Sequence, residues 1–310
     1  LEPGLYFDAA DLLVPEEYRG IGVRIEDDLM VTESGEVKLM TTFARTPDEI
    51  ETWLAAHGPE HYFDSFLAQD AASALGYMLL TVNTDGATNE DDEIATLKRY
   101  GVDGFMYAKM SNRYADVPDS LGDYPLVLVD ATDRAGQFPS IEPDEFRIAY
   151  DATARLIGAG CERIAYVGCS EPMIAQDGRL EGYRRALEDA GRDYDERLVA
   201  NVLNNGPALR DVSDLFDRAR PDGFFCFNDA RAWYVYECAA RRGLTIGKDV
   251  SVVGVDNHRV FAETFYPQLT TVELPHYEMG YWATCKLVSM IEQRDLHDLA
   301  LPRTTAPLPP

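Results

Sequence analysis

The sequence predicts a doubly wound α/β protein, and three observations support this fold class. Strand-like runs alternate with helix-like segments from residue 62 onwards, which is typical of a parallel sheet flanked by helices. Residues 126–129, 164–167 and 251–255 are almost unbroken apolar runs, as expected for strands buried on both faces. A length of 310 residues, with 46% hydrophobic and 26% charged residues, suits two globular units or one unit with an appendage.

The individual elements follow from the same two periodicities. The first predicted helix ends at Gly76, a natural C-cap, and an apolar strand over 77–82 follows it directly. Helix periodicity then predicts helices over 91–100, 144–157, 180–190, 209–218, 230–241 and 276–291. Short apolar runs predict further strands over 104–108, 126–129, 163–167, 223–226, 251–255 and 269–272.

The first 58 residues show a different pattern. Residues 20–31 and 37–40 predict antiparallel strands joined by a turn at 33–35. Residues 46–57 predict a helix, with Pro47 at its first position and Gly58 just after its end. We therefore expect a small appendage of antiparallel strands and one helix, with a boundary between residues 57 and 62.

The composition excludes several classes of function. A formal net charge of -26 and the lack of a basic run argue against nucleic-acid binding by this chain and against binding to anionic lipid. The five cysteines are scattered without metal-ligand spacing, which favours a reduced, cytoplasmic protein without a metal or other cofactor. The sequence offers no apolar stretch of membrane-spanning length and no leader at its start.

Polar side chains follow three of the predicted strands, where ligands bind in doubly wound sheets. The candidate binding residues are Asp130, Asn228 and Asp256 at strand ends and Arg179 near the start of a helix. Carboxylate, amide and guanidinium groups together suit the vicinal hydroxyls of a sugar, and Phe227 and Phe138 offer rings to stack on it. The alternative is that the strand-end residues cap the next helix and that Arg179 forms a surface ion pair.

A family resemblance rests on segments in a fixed order. They are residues 74–77 (ALGY), 83–85 (NTD), 101–104 (GVDG), 178–187 (GRLEGYRRAL), 227–229 (FND), 249–257 (DVSVVGVDN) and 267–272 (PQLTTV). Together they resemble the sensor domains of LacI/GalR-type repressors over residues 62–310. The resemblance implies a two-lobed, periplasmic-binding-protein-like fold, with lobe 1 formed by 59–143 plus 273–294 and lobe 2 by 144–272 plus 295–310.

The same resemblance implies that the protein binds a ligand and catalyses no reaction. Arg179, Asn228 and Asp256 would contact a carbohydrate effector, with Asp130 as a further contact, in a protein that is a homodimer and not an enzyme. Closure of the two lobes around the effector would be the signal. Repressors of this family also begin with a DNA-binding head, and their sensor begins with an apolar strand. Residues 51–61 supply no such strand, so we expect lobe 1 without its leading strand and without a DNA-binding head.

The first 58 residues resemble another family. Residues 1–6 (LEPGLY), 20–28 (GIGVRIEDD) and 31–35 (VTESG) are similar to the final strands of Xaa-Pro peptidases, the prolidase and aminopeptidase P group. This resemblance implies that Glu2 and Glu26 are two of five ligands to a dinuclear metal centre. The other ligands, two Asp and one His, have no counterpart in this chain. Because two carboxylates cannot fix two ions and an activated water, we expect no peptidase activity.

Two alternative functions remain open at this point. The chain is one piece of an Xaa-Pro metallopeptidase, with Glu2 and Glu26 as part of its site, or it is a sugar-binding protein that serves a transporter. Metal-dependent hydrolysis of an Xaa-Pro bond supports the first. A secretion leader on the full-length gene supports the second.

Overall fold

A computed structural model describes the backbone of residues 65–82, 90–203 and 207–295, together with four short strands before them. The chain divides into two compact units, Leu1–Phe63 and Asp64–Pro310. In the first unit β1 (Gly4–Tyr6) pairs antiparallel with β2 (Gly22–Arg24), and β3 (Leu29–Val31) pairs antiparallel with β4 (Val37–Leu39). The predicted antiparallel strands are therefore confirmed. The predicted helix over 46–57 lies outside the described residues.

The larger of the two parallel sheets in the second unit has five strands. They are β8 (Ile164–Cys169), β9 (Val199–Val202), β10 (Gly223–Cys226), β11 (Ser251–Val255) and β12 (Thr270–Val272). Their order across the sheet is β12-β11-β10-β8-β9, and every pairing is parallel. All residues of β8 and β10 are buried, as the apolar runs predict. The strand β9 was not predicted, because its four residues, VANV, carry too short a pattern.

Helices cover both faces of this five-stranded sheet. One face packs against α3 (Glu145–Gly158) and α4 (Ile174–Asp189), and the other against α5 (Ala208–Ala219) and α6 (Asp229–Arg241). Alternate residues of β10 pack into the cores on opposite faces of the sheet. Phe224 packs on the α5 side and Phe225 on the α3 side. The predicted doubly wound arrangement is confirmed here. The helix α4 begins six residues earlier than its predicted start at residue 180.

The smaller sheet has three parallel strands in the order β5-β6-β7. These strands are β5 (Phe105–Tyr114), β6 (Leu126–Thr132) and β7 (Ser140–Ile141). One face packs against α2 (Glu90–Arg99), and the other against α8 (His276–Glu292). The middle strand, β6, contributes Leu126 and Leu128 to the first core and Val127 to the second, and all three side chains are 0% exposed.

The predicted strand over residues 77–82 is wrong. These residues follow α1 (Ser65–Ala74) and belong to neither sheet, and Met78 and Leu80 are 80% and 41% exposed. An apolar run becomes a strand only when a neighbouring strand accepts its backbone hydrogen bonds, and within the described residues this run has none. The strand β5, in contrast, is longer than the predicted 104–108, with a shift of register against β6 between Ala108 and Arg113.

The chain crosses between the sheets twice within the described residues. It leaves the smaller sheet at β7 and enters α3 through residues 142–144, where Asp144 caps the helix by accepting a hydrogen bond from the Arg147 N–H at 2.8 Å. It returns from β12 to α8 through residues 273–275. The carboxyl ends of β6, β10 and β11 carry the predicted site residues.

Candidate functional site

Asp130 lies near the carboxyl end of β6 in the three-stranded sheet. Its φ of 52° is in the left-handed region, which Asp tolerates better than most residues. The side chain is 8% exposed, and its Oδ1 has no hydrogen-bond partner among the described residues. The pKa of Asp130 is raised to about 7, chiefly by burial and then by the nearby Glu145 carboxylate, against the opposing effect of Arg179. A buried carboxyl group is thus left without a partner.

Arg179 lies in α4 and is 3% exposed. Its Nε donates to Glu145 Oε2 at 2.6 Å, and its Nη1 donates to the backbone carbonyl of Phe227. The guanidinium carbon lies 4.4 Å from the centre of the Phe227 ring. The third nitrogen, Nη2, has no hydrogen bond in the part of the chain that the structure describes. Arg179 is therefore a buried, fixed group with one unused nitrogen, and not a surface ion-pair residue.

Asn228 caps the helix α6. Its Oδ1 accepts hydrogen bonds from the Arg231 N–H and from Arg231 Nη1, both at 3.1 Å. The capping alternative considered from the sequence therefore holds for this oxygen. The amide nitrogen of Asn228 has no hydrogen bond with the described residues, so the side chain retains two N–H donors for a ligand.

Asp256 follows β11 in the five-stranded sheet and has a φ of 109°. Its backbone N–H donates to the Val272 carbonyl at 2.9 Å, which fixes the residue against β12. Burial raises the pKa of Asp256 to about 7; Arg179 lowers it, while Asp229 and Glu145 raise it. The carboxylate has no hydrogen bond with any described residue. Asp256 is half-buried, and it shares with Asp130 its strand-end position, its positive φ and a carboxyl group without a hydrogen bond among the described residues.

The structure brings the predicted residues together around the Arg179–Glu145 ion pair. Both members of this pair act electrostatically on Asp130 and on Asp256, and Asn228 directly follows the residue whose carbonyl Arg179 binds. Glu145 was not predicted, because its sequence position only marks it as an acidic residue in the first turn of a helix. Burial also raises the pKa of Glu145, and Arg179 opposes that shift.

Asp229 is a second residue that the sequence did not assign. It is 0% exposed; its Oδ1 accepts from the Thr271 hydroxyl at 2.6 Å and its Oδ2 from the His258 N–H at 2.8 Å. Burial raises its pKa to about 6, and these two hydrogen bonds lower it. Because both oxygens are used, Asp229 joins α6 to β12 and is not available to a ligand.

The predicted stacking surface of Phe227 is wrong, whereas that of Phe138 stays a prediction. Phe227 is 5% exposed, and the guanidinium carbons of Arg179 and Arg231 lie 4.4 Å and 4.9 Å from its ring centre. Its ring is therefore covered by protein groups and offers no free face to a sugar. Phe138 is half-buried and packs into the core of the three-stranded sheet.

A cavity of about 420 Å³ adjoins β5. Its lining includes Glu90, Tyr107, Lys109 and Arg113, and Arg113 also lowers the pKa of Asp130. Within this cavity Lys109 donates to the Tyr107 hydroxyl at 2.8 Å, and that hydroxyl donates to Glu90 at 2.6 Å. None of the four predicted binding residues lines it.

The predicted metal ligands Glu2 and Glu26 lie outside the described residues, and their role stays a prediction. Within the residues that are described, no cluster of three or more metal-ligating side chains occurs. In the same part of the chain, no helix has the length and apolar character needed to cross a membrane.

Comparison with known proteins extends this description. Residues 153–306 match the family model of a periplasmic binding protein-like domain. The regulator RegA of Clostridium acetobutylicum is 33% identical over 237 residues, 74% of this chain and 70% of RegA. The sucrose operon repressor of Escherichia coli is 28% identical over 226 residues, 71% of this chain and 68% of the repressor.

The solved structures lead to the same family. A putative transcriptional regulator of the LacI family from Rhizobium etli superposes with a TM-score of 0.65 at 28% identity, covering 75% of this chain and 86% of that one. Its fold agrees with the two parallel sheets described above. The chain therefore belongs to the LacI family of transcriptional regulators and carries the ligand-sensing, periplasmic-binding-protein-like domain of that family.

Proposed function

We propose that this chain senses a small polyhydroxylated molecule, a carbohydrate, through Asp130, Arg179, Asn228 and Asp256. One observation carries the proposal: hydrogen-bonding groups at the ends of both sheets are fixed in place but unused. They are the Asp130 carboxyl, whose Oδ1 is buried without a partner, and the Asp256 carboxyl and Arg179 Nη2, which have no hydrogen bond within the described residues. Unused buried polar groups are costly, and vicinal hydroxyls supply both the donors and the acceptors that would satisfy them.

Relatives support a sugar as the ligand. The sucrose operon repressor takes its name from a sugar, and it aligns with most of this chain. Carboxylates that accept from hydroxyls, beside a guanidinium that donates to them, form a suitable set for such a molecule. The identity of the sugar depends on the shape of the site, which residue types alone do not define.

The proposed signal is a change in the arrangement of the two sheets. Asp130 belongs to the three-stranded sheet and Asp256 to the five-stranded one, and residues 142–144 and 273–275 join these sheets. A ligand that binds both carboxyl groups favours the arrangement in which they lie closest together. In the full regulator this change in the arrangement of the sheets would alter how tightly the regulator binds DNA.

The proposal extends to a cytoplasmic homodimer. All five cysteines are free and buried, which suits a reducing compartment. Light scattering of the protein as it elutes from a size-exclusion column measures its mass. A mass equal to one chain at micromolar concentrations contradicts the dimer.

For residues 1–58 we propose no peptidase activity. Release of product from an Xaa-Pro dipeptide with added Mn²⁺ contradicts this part.

Calorimetric titration with a panel of monosaccharides, disaccharides and nucleosides tests the sensing function. We expect at least one saccharide to bind, and Asp256→Asn to weaken it at least tenfold because a charge-assisted hydrogen bond becomes a neutral one. Asn keeps the shape of the side chain and also tolerates the positive φ of this position. The matched control is Asp189→Asn, since Asp189 lies in an exposed ion pair with Arg185.

Two results contradict the proposed function. One is the absence of binding by every member of the panel to a folded protein. The other is a saccharide whose Kd does not change in Asp256→Asn. Equal weakening in Asp256→Asn and Asp189→Asn also counts against the assignment, because it reports a general effect of charge and not a contact.

A further inference from the structure

The carboxyl groups of the site outnumber its guanidiniums. Five carboxyl groups act on one another or on Arg179 here: Asp130, Glu142, Glu145, Asp229 and Asp256. The guanidiniums that act on them are Arg113, Arg179 and Arg231, and the imidazoles of His258 and His276 act on them too. The site therefore holds five carboxyl groups and three guanidiniums.

The three guanidiniums make their contacts away from Asp130 and Asp256, although Nε of Arg113 and Nε of Arg231 are buried without a hydrogen bond among the described residues. Arg179 binds Glu145 and the Phe227 carbonyl, and Arg231 donates to Asn228, to Cys169 Sγ at 3.2 Å and to the Val202 carbonyl at 3.2 Å. Arg113 lies 3.8 Å from Glu171. Within the described residues, none of them is hydrogen-bonded to Asp130 or to Asp256. These two carboxyl groups are therefore left without a charged hydrogen-bond donor from that part of the chain.

Asp130 shows most directly what the site lacks. It is more than nine-tenths buried, and its Oδ1 is a desolvated acceptor without a donor. A neutral hydroxyl supplies a hydrogen bond to this oxygen, whereas an ammonium supplies a stronger, charge-assisted one and also balances the charge. A ligand with a carboxylate or phosphate group would instead add a like charge, which weakens binding.

We propose that the effector carries a protonated amine, as an amino sugar or aminated polyol does, and that its ammonium group binds the Asp130 carboxylate. This inference rests on the proposed sensing function and specifies its ligand class. The pKa of Asp130, raised to about 7 in the unliganded protein, supports it: a bound ammonium favours the ionised carboxylate and so lowers this pKa.

Matched sugars that differ in one group test the inference. Calorimetry compares glucose, glucosamine, N-acetylglucosamine and glucuronate with the corresponding galactose and mannose compounds at pH 7. In at least one series we expect the amine to bind at least tenfold more tightly than its hydroxyl parent and than its N-acetyl form, which keeps the nitrogen but loses the charge. We expect the acid to bind most weakly.

Two further measurements locate the amine. Asp130→Asn should bring the ratio of amine to parent affinity close to one, whereas Asp133→Asn, at a half-buried site three residues along, should leave that ratio unchanged. In buffers with different heats of ionisation, the amine should release a fraction of a proton to the buffer on binding, because it ionises Asp130. Its hydroxyl parent should not.

The outcomes separate the two proposals. Hydroxyl parents that bind as tightly as the amines overturn the charge inference and leave the sensing function intact. A preference for amines that survives Asp130→Asn also overturns it, because the ammonium then binds elsewhere. If no member of any series binds the folded protein, the sensing function fails for these sugars and the inference fails with it.

Discussion

Similar apolar runs adopt different structures in the five-stranded sheet and beside the three-stranded one. In the five-stranded sheet, apolar runs such as β8 and β10 have strand neighbours on both sides and are fully buried. Beside the three-stranded sheet, the run over residues 77–82 is equally apolar, yet it forms no strand and leaves Met78 80% exposed. An apolar run therefore predicts a strand only together with the neighbours that complete its hydrogen bonds.

The sheets agree, however, at the ends of their strands. Each places an Asp with positive φ at the carboxyl end of a buried strand, Asp130 after the apolar part of β6 and Asp256 after β11. Burial raises the pKa of each to about 7. Strand pairing thus depends on distant parts of the chain, whereas the position of a strand-end carboxyl group follows from the local sequence.

The largest expected effect contrasts two leucines that belong to apolar runs. Leu128→Ala removes a 0% exposed side chain from the middle strand of the three-stranded sheet and should lower the free energy of unfolding by about 2–5 kcal/mol. Leu80→Ala, at a 41% exposed position, should lower it by less than about 1 kcal/mol. Urea denaturation measures both. Equal losses would break the comparison, because they would show that residues 77–82 are packed like a buried strand.

A smaller effect is expected for the packing of α3 against α4 beside the five-stranded sheet. A Cβ added at Gly182 would overlap the Phe146 carbonyl oxygen and lie 2.9 Å from the Tyr150 nitrogen. Because backbone atoms cannot move aside easily, Gly182→Ala should cost about 1–3 kcal/mol of unfolding free energy. At the end of α3, Gly158→Ala meets no atom within 4 Å and should be neutral or slightly stabilising. A neutral Gly182→Ala in urea denaturation would contradict this close approach.

The smallest effect is a pH dependence of the free energy of unfolding, and it tests whether Asp130 and Asp256 behave alike in the two sheets. Asp130 and Asp256 keep their protons in the folded state up to a pH of about 7, while an unfolded Asp ionises near pH 4. The folded state thus binds more protons, so the free energy of unfolding should fall as pH rises from about 5 to 7, by about 1 kcal/mol per pH unit for each carboxyl group. Urea denaturation across this range measures the slope.

Variants assign that slope to the two residues. Asp130→Asn and Asp256→Asn should each flatten the dependence on pH, and the double variant should flatten it most. Asp133→Asn is the control, because hydrogen bonds from the backbone N–H groups of Gln137 and Phe138 lower the pKa of Asp133 out of this range. A slope that is unchanged in the double variant would contradict the shared behaviour of the two strand ends.

Much of the fold follows from local sequence patterns. The runs at 126–129, 164–167 and 251–255 are strands, and the amphipathic segments between them are helices, because burial on both faces requires continuous apolar residues. Residues 77–82 were predicted wrongly because pairing is not a local property. The short strands β7 and β9 were missed because two or four residues carry no readable period.

The candidate site was predicted only in part. Strand-end position was enough to select Asp130, Asn228 and Asp256, and all three lie near Arg179. Glu145 and Asp229 were missed because their importance comes from partners far away along the chain, Arg179 and Thr271. The role of Phe227 was misjudged for a related reason, since the two guanidiniums that cover its ring come from different helices.

Asp229 links two parts of the molecule that the chain itself separates. Through the hydroxyl of Thr271 it fastens the first turn of α6 to β12, only a few residues before the chain returns to α8 and the three-stranded sheet. Asn228, which precedes Asp229, has amide donors free for a ligand. A ligand that displaces Asn228 would therefore also act on β12 and residues 273–275, through the hydrogen bond between Asp229 and Thr271.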